Sequence, residues 1–169
     1  MMPTIGVKLR VFVPKTVFNM PRVQQEIQHV MLTKTRMDLR RELWRGCRSW
    51  KHQPNWQMPH YFGVRVMWVK VFTYSTQYRL VNAGTTKKDY PIVPRRKNML
   101  RFQTQFRPKT RPRLLGSFVG GKFGPYISTL AVIHPGFEAR EFDKTVAEEY
   151  QKNFTNDIQR AINEGIIHA

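Results

Sequence analysis

Residues 124–169 read GPYISTLAVIHPGFEAREFDKTVAEEYQKNFTNDIQRAINEGIIHA, and this stretch decides the fold. It opens with a run typical of a strand, Ile127 to Ile133, turns at His134-Pro135-Gly136 and continues into a long segment of helical periodicity. Apolar side chains recur there every four residues, at Phe142, Val146, Tyr150, Phe154, Ile158 and Ile162. Because this spacing keeps one apolar stripe in line on a helix, we predict an amphipathic helix from Glu141 to Gly165 that packs against the rest of the protein.

Acidic residues fall between the apolar positions of this helix, whereas the rest of the chain is basic. Residues 1–60 carry 11 Lys and Arg against 3 Asp and Glu, residues 61–120 carry 13 against 1, and residues 121–169 carry 5 against 7. Such segregation favours an assembling protein, because separated charges give copies or partners complementary faces. We therefore predict an acidic helix face that meets a basic surface on a neighbouring subunit, formed by Glu141, Glu148, Glu149 and Asp157.

The patterns upstream predict further strands and one more long helix. Alternation indicates a strand from Gly6 to Val13, and β-branched and aromatic residues indicate a long central strand from Tyr61 to Tyr74 and another strand from Met99 to Phe106. A loose helical period runs from Pro21 to Gly46 and breaks around Lys34, so either one long helix or a kinked pair fits. Together the elements predict an α+β fold, a single domain over residues 1–169, with one small antiparallel sheet covered by an N-terminal and a C-terminal helix.

Two basic segments punctuated by proline are predicted to be loops on the sheet. The first, residues 86–98, carries Lys87, Lys88, Arg95, Arg96 and Lys97. The second, residues 107–124, carries Arg107, Lys109, Arg111 and Arg113 and ends in glycines that suit a hairpin tip. Three interpretations stay open for them: solvated loops, contacts with acidic neighbouring proteins, or contacts with a phosphate backbone.

No catalytic, cofactor or metal site is indicated. The single cysteine, Cys47, excludes an internal disulfide framework and fits a reducing compartment, and the histidines are scattered without a cysteine pair, so the spacing of a zinc site is missing. His134 precedes Pro135-Gly136 and is interpreted as a turn residue. The glycines of residues 116–124 lack the phosphate-loop spacing, and no apolar run approaches the roughly 18 residues that span a bilayer. We predict a protein that is not an enzyme, has no cofactor and is made in the cytoplasm.

Four short motifs occur in order along the chain: SWKHQP at 49–54, YRLVNAGT at 78–85, PIVPRRKNMLRF at 91–102 and HPGFEAREF at 134–142. In this order they resemble the neck, or tail-completion, proteins of long-tailed bacteriophages, a group also called minor tail or head-tail joining proteins. The resemblance covers about residues 20 to 166, and its strength lies in the order of the motifs rather than in any one of them.

This resemblance implies a structural protein of the virion. The implied assembly is a ring of identical subunits, six in number, in the neck between the head-closure proteins and the tail terminator or tail tube, with genomic DNA passing through the middle. On this basis Lys87, Lys88, Arg95, Arg96 and Lys97 face either the DNA channel or a neighbouring ring. The segment from Arg107 to Gly124 is longer and more basic than in the family, and is expected to form a hairpin that reaches a neighbouring subunit.

Two alternative functions stay open at this point. A tail terminator also forms a ring at the same junction, and the sequence does not distinguish it from a neck protein. A free nucleic-acid-binding protein is favoured by the net charge of +18. The acidic C-terminal segment opposes it, as does the lack of a helix-turn-helix, zinc or RNA-recognition signature.

Overall fold

The computed structural model describes residues 5–13, 15, 20–87 and 91–167. Its strands are β1 (Ile5–Phe12), β2 (Trp56–Gln57), β3 (His60–Phe62), β4 (Val66–Thr73), β5 (Leu100–Gln103), β6 (Phe106–Arg107), β7 (Gly121–Lys122) and β8 (Tyr126–Thr129). Its α-helices are α1 (Pro21–Val30), α2 (Arg36–Cys47), α3 (Thr76–Ala83) and α4 (Phe142–Ile167), and a π-helical turn, Met31–Thr35, joins α1 to α2. The mixture of helices with small antiparallel sheets confirms the α+β prediction.

The main sheet is built around β4. β1 pairs with one edge of β4 and β2 and β3 pair with the other, all antiparallel. Side chains of alternating residues enter the core, so Val69 and Val71 of β4 are buried together with Val7 of β1. The single long strand predicted from Tyr61 to Tyr74 is wrong in one respect: the chain turns after β3, where Gly63 donates to the carbonyl of Val66, and the segment becomes a hairpin.

The N-terminal helical segment is continuous from Pro21 to Cys47, with the π-helical turn where the apolar stripe breaks. Apart from Gly46, its buried positions are spaced by four: Val23, Ile27, Met31, Thr35, Leu39, Leu43 and Cys47. Since an α-helix has 3.6 residues per turn, each step of four rotates the stripe by about 40°. A π turn contains more residues per turn than an α turn, so it reverses part of this rotation. The buried side chains of both helices therefore face the same core.

Helix α4 contains the predicted stripe, and its first four members are buried: Phe142, Val146, Tyr150 and Phe154. Fully burying one such side chain contributes about 1.5–3 kcal/mol. Each step of four residues rotates the apolar stripe by about 40° around the helix axis. Ile158 and Ile162 have therefore turned away from the core and are only half-buried. Asp157, Ala161 and Gly165 take the buried positions instead, so the helix buries an acidic residue that the sequence pattern placed outside.

Helix α3 was missed by the sequence analysis, which assigned residues 78–85 only a terminal glycine turn. Ser75 caps the helix by accepting from the N–H of Tyr78, and Gly84 ends it at φ +74°. Tyr78 is fully buried and packs edge-on against Trp56, with ring centroids 5.0 Å apart. The short helix therefore anchors the middle of the chain in the core.

Residues 85–141, here called the arm, contribute little to that core. All the buried side chains of the core cluster come from the described residues before position 84 and after position 141. The arm has two short two-stranded sheets of its own, β5 with β8 and β6 with β7. The predicted strands at Met99 to Phe106 and Ile127 to Ile133 are thus present in shortened form. Residues 106–122, here called the basic hairpin, close through a bridge between Arg111 and Leu114.

Candidate assembly interface

The two ends of the arm are joined by backbone hydrogen bonds. Thr85 and Phe137 exchange N–H to carbonyl bonds of 2.9 Å in both directions, and Arg140 donates to the carbonyl of Val81 at 3.1 Å. Gly136 has φ +80°, and an added Cβ there would lie 2.4 Å from the carbonyl oxygen of Thr85, so only glycine fits this close approach. The predicted turn at 134–136 is confirmed and serves as one side of this closure.

The start of α4 is fixed at the same place by a side-chain amide. The Asn82 side chain donates to the Asp143 carboxylate at 2.7 Å and accepts from the Asp143 N–H at 3.2 Å. The N–H of Glu141 also donates to the carbonyl of Asn82, at 3.0 Å. Asn82 is buried, so this pairing satisfies its polar groups and gives the first turn of α4 a capping partner. Both ends of the arm are therefore held next to each other, between α3 and the start of α4.

Large apolar side chains are exposed along the arm. Of the 21 exposed large hydrophobic residues in the described chain, 11 lie in it: Ile92, Val93, Met99, Phe106, Leu114, Val119, Phe123, Tyr126, Ile127, Leu130 and Ile133. Val119 on the basic hairpin is 94% exposed, the highest value among them. By sequence the arm also carries 12 Lys and Arg against 3 Asp and Glu. The arm therefore combines exposed apolar side chains with an excess of cations.

The first predicted basic loop lies at the surface. Lys87, Arg95, Arg96 and Lys97 are exposed and form no ion pair with a described residue, and Lys88 lies outside the described residues. The loop is held to the arm by Ile92, which exchanges backbone hydrogen bonds of 2.8 and 3.1 Å with Val132. Its cations are available to a partner.

The basic hairpin presents its cations beside aromatic rings. The guanidinium of Arg107 lies 5.5 Å from the ring centroid of Phe123, and that of Arg111 lies 4.7 Å from Phe118. In the β5–β8 pair, the guanidinium of Arg101 lies 5.5 Å from the ring centroid of Tyr126. Such contacts hold an arginine in place without neutralising its charge. Lys109 is also exposed, in the same hairpin.

Arg113 departs from the predicted inter-subunit role. Its Nε donates to the carboxylate of Glu141 of the same chain at 3.0 Å, and its backbone N–H donates to the carbonyl of Arg140. The hydrogen bond from Arg113 lowers the pKa of Glu141, and the nearby ammonium of Lys144 lowers it further. Two residues that the sequence assigned to separate inter-subunit surfaces are thus partners within one chain.

The predicted acidic helix face is not formed as one surface. Asp157 is buried and accepts from the Nζ of Lys34, and Glu141 is engaged by Arg113. Glu148 and Glu149 are exposed as predicted. Glu164 is the only other exposed acid among the described residues of α4, and three exposed cations, Lys144, Lys152 and Arg160, balance the three exposed acids. The outer side of α4 therefore has no net charge.

A cationic surface that the sequence analysis missed lies on the side of the main sheet turned away from the helices. This outer sheet face is formed by Lys8 and Arg10 of β1, Trp68, Lys70 and Phe72 of β4, and Tyr61 of β3. The alternation along β1 contains this signal, since Lys8 and Arg10 alternate with Val7 and Leu9 and must lie on the opposite face of the strand. The sequence analysis used this alternation only to predict a strand.

A groove of about 870 Å³ lies between the arm and the core. Apolar side chains predominate in its wall, among them Trp50, Val81, Phe102 and Phe137. Arg140 also lines it, is only 7% exposed, and its side chain forms no hydrogen bond or ion pair with a described residue. Lys109 lines it as well, so the groove offers an apolar surface with two cations beside it.

The remaining reactive side chains are accounted for by structure. Cys47 is buried, and burial raises the pKa of its thiol to about 12, so it is not a thiolate at neutral pH. His134 Nδ1 accepts from the N–H of Gly136 at 2.9 Å, as expected of a turn residue. In the part of the chain that the structure describes, no group of three His, Cys, Asp or Glu side chains is placed to hold a metal ion. No helix of the described residues has the length and apolarity needed to cross a membrane.

Comparison with known proteins gives no match to a family model, a curated protein or a solved structure.

Proposed function

We propose that this chain is a structural subunit that assembles with copies of itself into a ring, and that the ring is the neck, or head-tail connector, of a tailed bacteriophage. The ring would join the head-closure proteins to the tail terminator or tail tube and surround the DNA channel. The family assignment is supported by the order of the four motifs, and the assembly by the arm. The arm is the single observation on which the proposal depends most.

The arm supports assembly because its composition is unfavourable in an isolated subunit. Eleven large apolar side chains are exposed within a segment of 57 residues that takes little part in the core. A concentration of exposed apolar side chains in one segment favours an interaction site. The fixed base of the arm, closed by the Thr85–Phe137 and Arg140–Val81 hydrogen bonds, holds this surface in one position relative to the core.

A ring requires a head-to-tail contact between two different surfaces of the same chain. One chain carries both kinds of surface: an exposed apolar side chain, Val119, on the basic hairpin, and the apolar groove lined by Trp50 and Phe137. Val119 does not line the groove of its own chain. An arm that contacts the groove of the next subunit would cover both surfaces at once.

The copy number in purified particles tests the virion assignment first. Quantitative mass spectrometry would give the amount of this protein relative to the portal and the major tail protein. We expect six copies per particle, or another small number that suits a ring. Absence from particles, with the protein abundant in infected cells, would contradict the proposal.

A substitution on the arm tests the assembly contact. Val119→Glu places a charge on the most exposed apolar side chain of the arm and should reduce incorporation into particles by at least tenfold while the purified chain stays folded. Ser117→Glu is the matched control, because Ser117 is exposed on the same hairpin and the charge change is identical. Equal incorporation of the two variants would remove the arm from the interface.

The first basic loop is proposed to face the DNA channel or a neighbouring ring. Replacing Arg95, Arg96 and Lys97 by Gln removes three exposed cations that have no partner among the described residues. If the loop lines the channel, particles should lose DNA retention more at high salt than at low salt. Unchanged retention would leave the neighbouring ring as its partner.

A tail terminator remains the alternative within the same class.

A free nucleic-acid-binding protein is the second candidate, favoured by the net charge of +18. A salt titration of the purified chain on duplex DNA separates it from a ring component. Submicromolar binding at physiological salt would favour the second candidate, because non-specific contact alone gives dissociation constants of about 10⁻⁴ to 10⁻⁶ M.

A further inference from the structure

The outer sheet face places like charges directly opposite each other. In the β1–β4 pair Lys8 faces Lys70, and Arg10 faces Trp68 one pair further along the same face. Like charges in a directly opposed pair destabilise a sheet. The strands β1, β2, β3 and β4 contain no acidic residue, so no carboxylate of the sheet itself offsets this repulsion. A sheet face with these cations and no acidic residue in its strands is suited to an anionic partner.

The titration of Lys8 agrees with this arrangement. Partial desolvation, followed by the positive charges of Arg10 and Lys70, lowers the pKa of the Lys8 ammonium. An anion placed against the face would oppose both contributions of neighbouring charge, those of Arg10 and Lys70. Binding would therefore be favoured by relief of repulsion as well as by direct attraction.

Two of the aromatic rings of this face, Trp68 and Phe72, each contact a lysine ammonium. The Nζ of Lys8 lies 4.0 Å from the ring centroid of Trp68, and the Nζ of Lys70 lies 4.6 Å from that of Phe72. A ring covered by an ammonium has that side closed to a nucleic-acid base. The contact is therefore electrostatic and suits the regularly spaced phosphates of a duplex better than unpaired bases.

A second copy of the chain offers little acidic surface to this face. Four of the 11 acidic residues already form ion pairs within the chain, namely Asp38, Glu42, Glu141 and Asp157. Asp143 is bound to the Asn82 amide, and the exposed charges of α4 balance. The 29 Lys and Arg of each copy must find most of their counter-charge outside the protein.

We propose that the outer sheet face binds the phosphate backbone of duplex DNA, independently of base sequence, with Lys8 and Arg10 as principal contacts. The site goes beyond the loop residues considered for the channel. It does not require ring assembly, so it can be measured on the purified full chain, and its failure is distinct from a failure of the copy-number test.

The test compares two double variants that remove the same charge. Lys8→Gln with Arg10→Gln alters the outer sheet face, and Arg95→Gln with Arg96→Gln alters the first basic loop. Binding of each to a mixed-sequence duplex of about 30 base pairs is followed by fluorescence anisotropy between 50 and 200 mM salt. Because each phosphate contact contributes about 0.9 to the slope of log K against log salt, the slope should fall by about 1.8 in the sheet variant and by clearly less in the loop variant.

Several outcomes would overturn the proposal. Equal losses in the two variants would show only the general effect of net charge, and an unchanged slope in the sheet variant would remove the site. Tighter binding of poly-glutamate than of duplex would indicate an acidic protein partner, and tighter binding of a single strand would indicate contact with unpaired bases. Thermal melting is the folding control: since Lys8→Gln relieves repulsion against Lys70, the sheet variant should melt no lower than the parent chain.

Discussion

The guanidinium Nε of Arg113 donates to the carboxylate of Glu141 at 3.0 Å and connects the basic hairpin to the residue that precedes α4. Both residues have positive φ angles, 56° and 51°, in a region that non-glycine residues rarely adopt. The backbone bond from Arg113 to Arg140 reinforces the contact. The hairpin is therefore oriented by its own chain before it meets any partner.

Glu141→Gln should loosen the hairpin with little effect on global stability. Arg113 is exposed and Glu141 partly exposed, so solvent screens the pair and its loss should change the free energy of unfolding only slightly. Local opening of the hairpin should make tryptic cleavage after Arg113 several-fold faster at neutral pH. Limited proteolysis followed by mass spectrometry measures this, with Glu149→Gln as the control, because Glu149 is exposed and forms no ion pair with a described residue.

The pH dependence of this contact has a defined sign. Because the pKa of Glu141 is lowered in the folded chain, its stabilising contribution is complete above the ordinary value of 4.5 and is lost as pH falls through the folded value. An acid-stable protease should therefore find the parent and the Glu141→Gln hairpins equally accessible at low pH. A persistent difference there, or no difference at neutral pH, would contradict the role of the ion pair.

Gly165→Ala should destabilise the protein, although the same change in an exposed helix is normally favourable by about 1 kcal/mol. Gly165 is buried in α4, and an added Cβ would lie 2.6 Å from the Cα of Val23 in α1. Backbone cannot move aside as a side chain can, so the two helices must separate, at a cost of about 1–3 kcal/mol. Urea denaturation measures the change. Asn156→Ala, exposed on the same helix, should stay within about 0.5 kcal/mol of the parent, and a neutral Gly165→Ala would disprove the close packing.

The parts of the fold that sequence predicted are those set by local periodicity. The stripe from Phe142 to Phe154, the buried positions from Val23 to Cys47 and the alternation of β1 each repeat over several turns or pairs, so one wrong residue does not obscure them. Helix α3 has only two turns and one capping signal, Ser75. It was missed because so short a segment has no period to detect.

The sequence predicted which charged residues the candidate site contains, but not which of them contact each other. Sequence located the cations of both basic segments, yet whether each is available depends on residues far away in the chain. Arg113 is neutralised by a residue 28 positions later, and Asp157 by Lys34, 123 positions earlier. The opposition of Lys8 and Lys70 likewise exists only through the register of β1 on β4. Long-range pairing of this kind leaves no trace in local patterns.

The ion pair between Lys34 and Asp157 should respond unequally to removal of its two members. Lys34→Met leaves a carboxylate that is only 7% exposed without its cation, which should cost about 1–3 kcal/mol. Asp157→Asn removes the buried charge and leaves a half-exposed lysine, so it should cost less. A double-mutant cycle from urea denaturation should give a coupling of at least 0.5 kcal/mol. Additive single effects would show that the pair contributes nothing.

Cys47 should make the protein lose stability in alkaline solution. The pKa of its thiol is raised by burial from 9.0 to about 12, so above pH 9 the unfolded chain loses this proton while the folded chain keeps it. The free energy of unfolding therefore falls as pH rises from 9 towards 12, and Cys47 has no such effect below pH 9. Cys47→Ala should be less stable than the parent at pH 8, through loss of packing, but should depend less steeply on pH. Burial also raises the pKa of Tyr150 to about 12. This adds the same pH dependence to the free energy of unfolding of the parent and of Cys47→Ala, so it cancels when the two are compared. Parallel curves for parent and variant between pH 8 and 11 would show that the thiol titrates alike in the folded and unfolded chains.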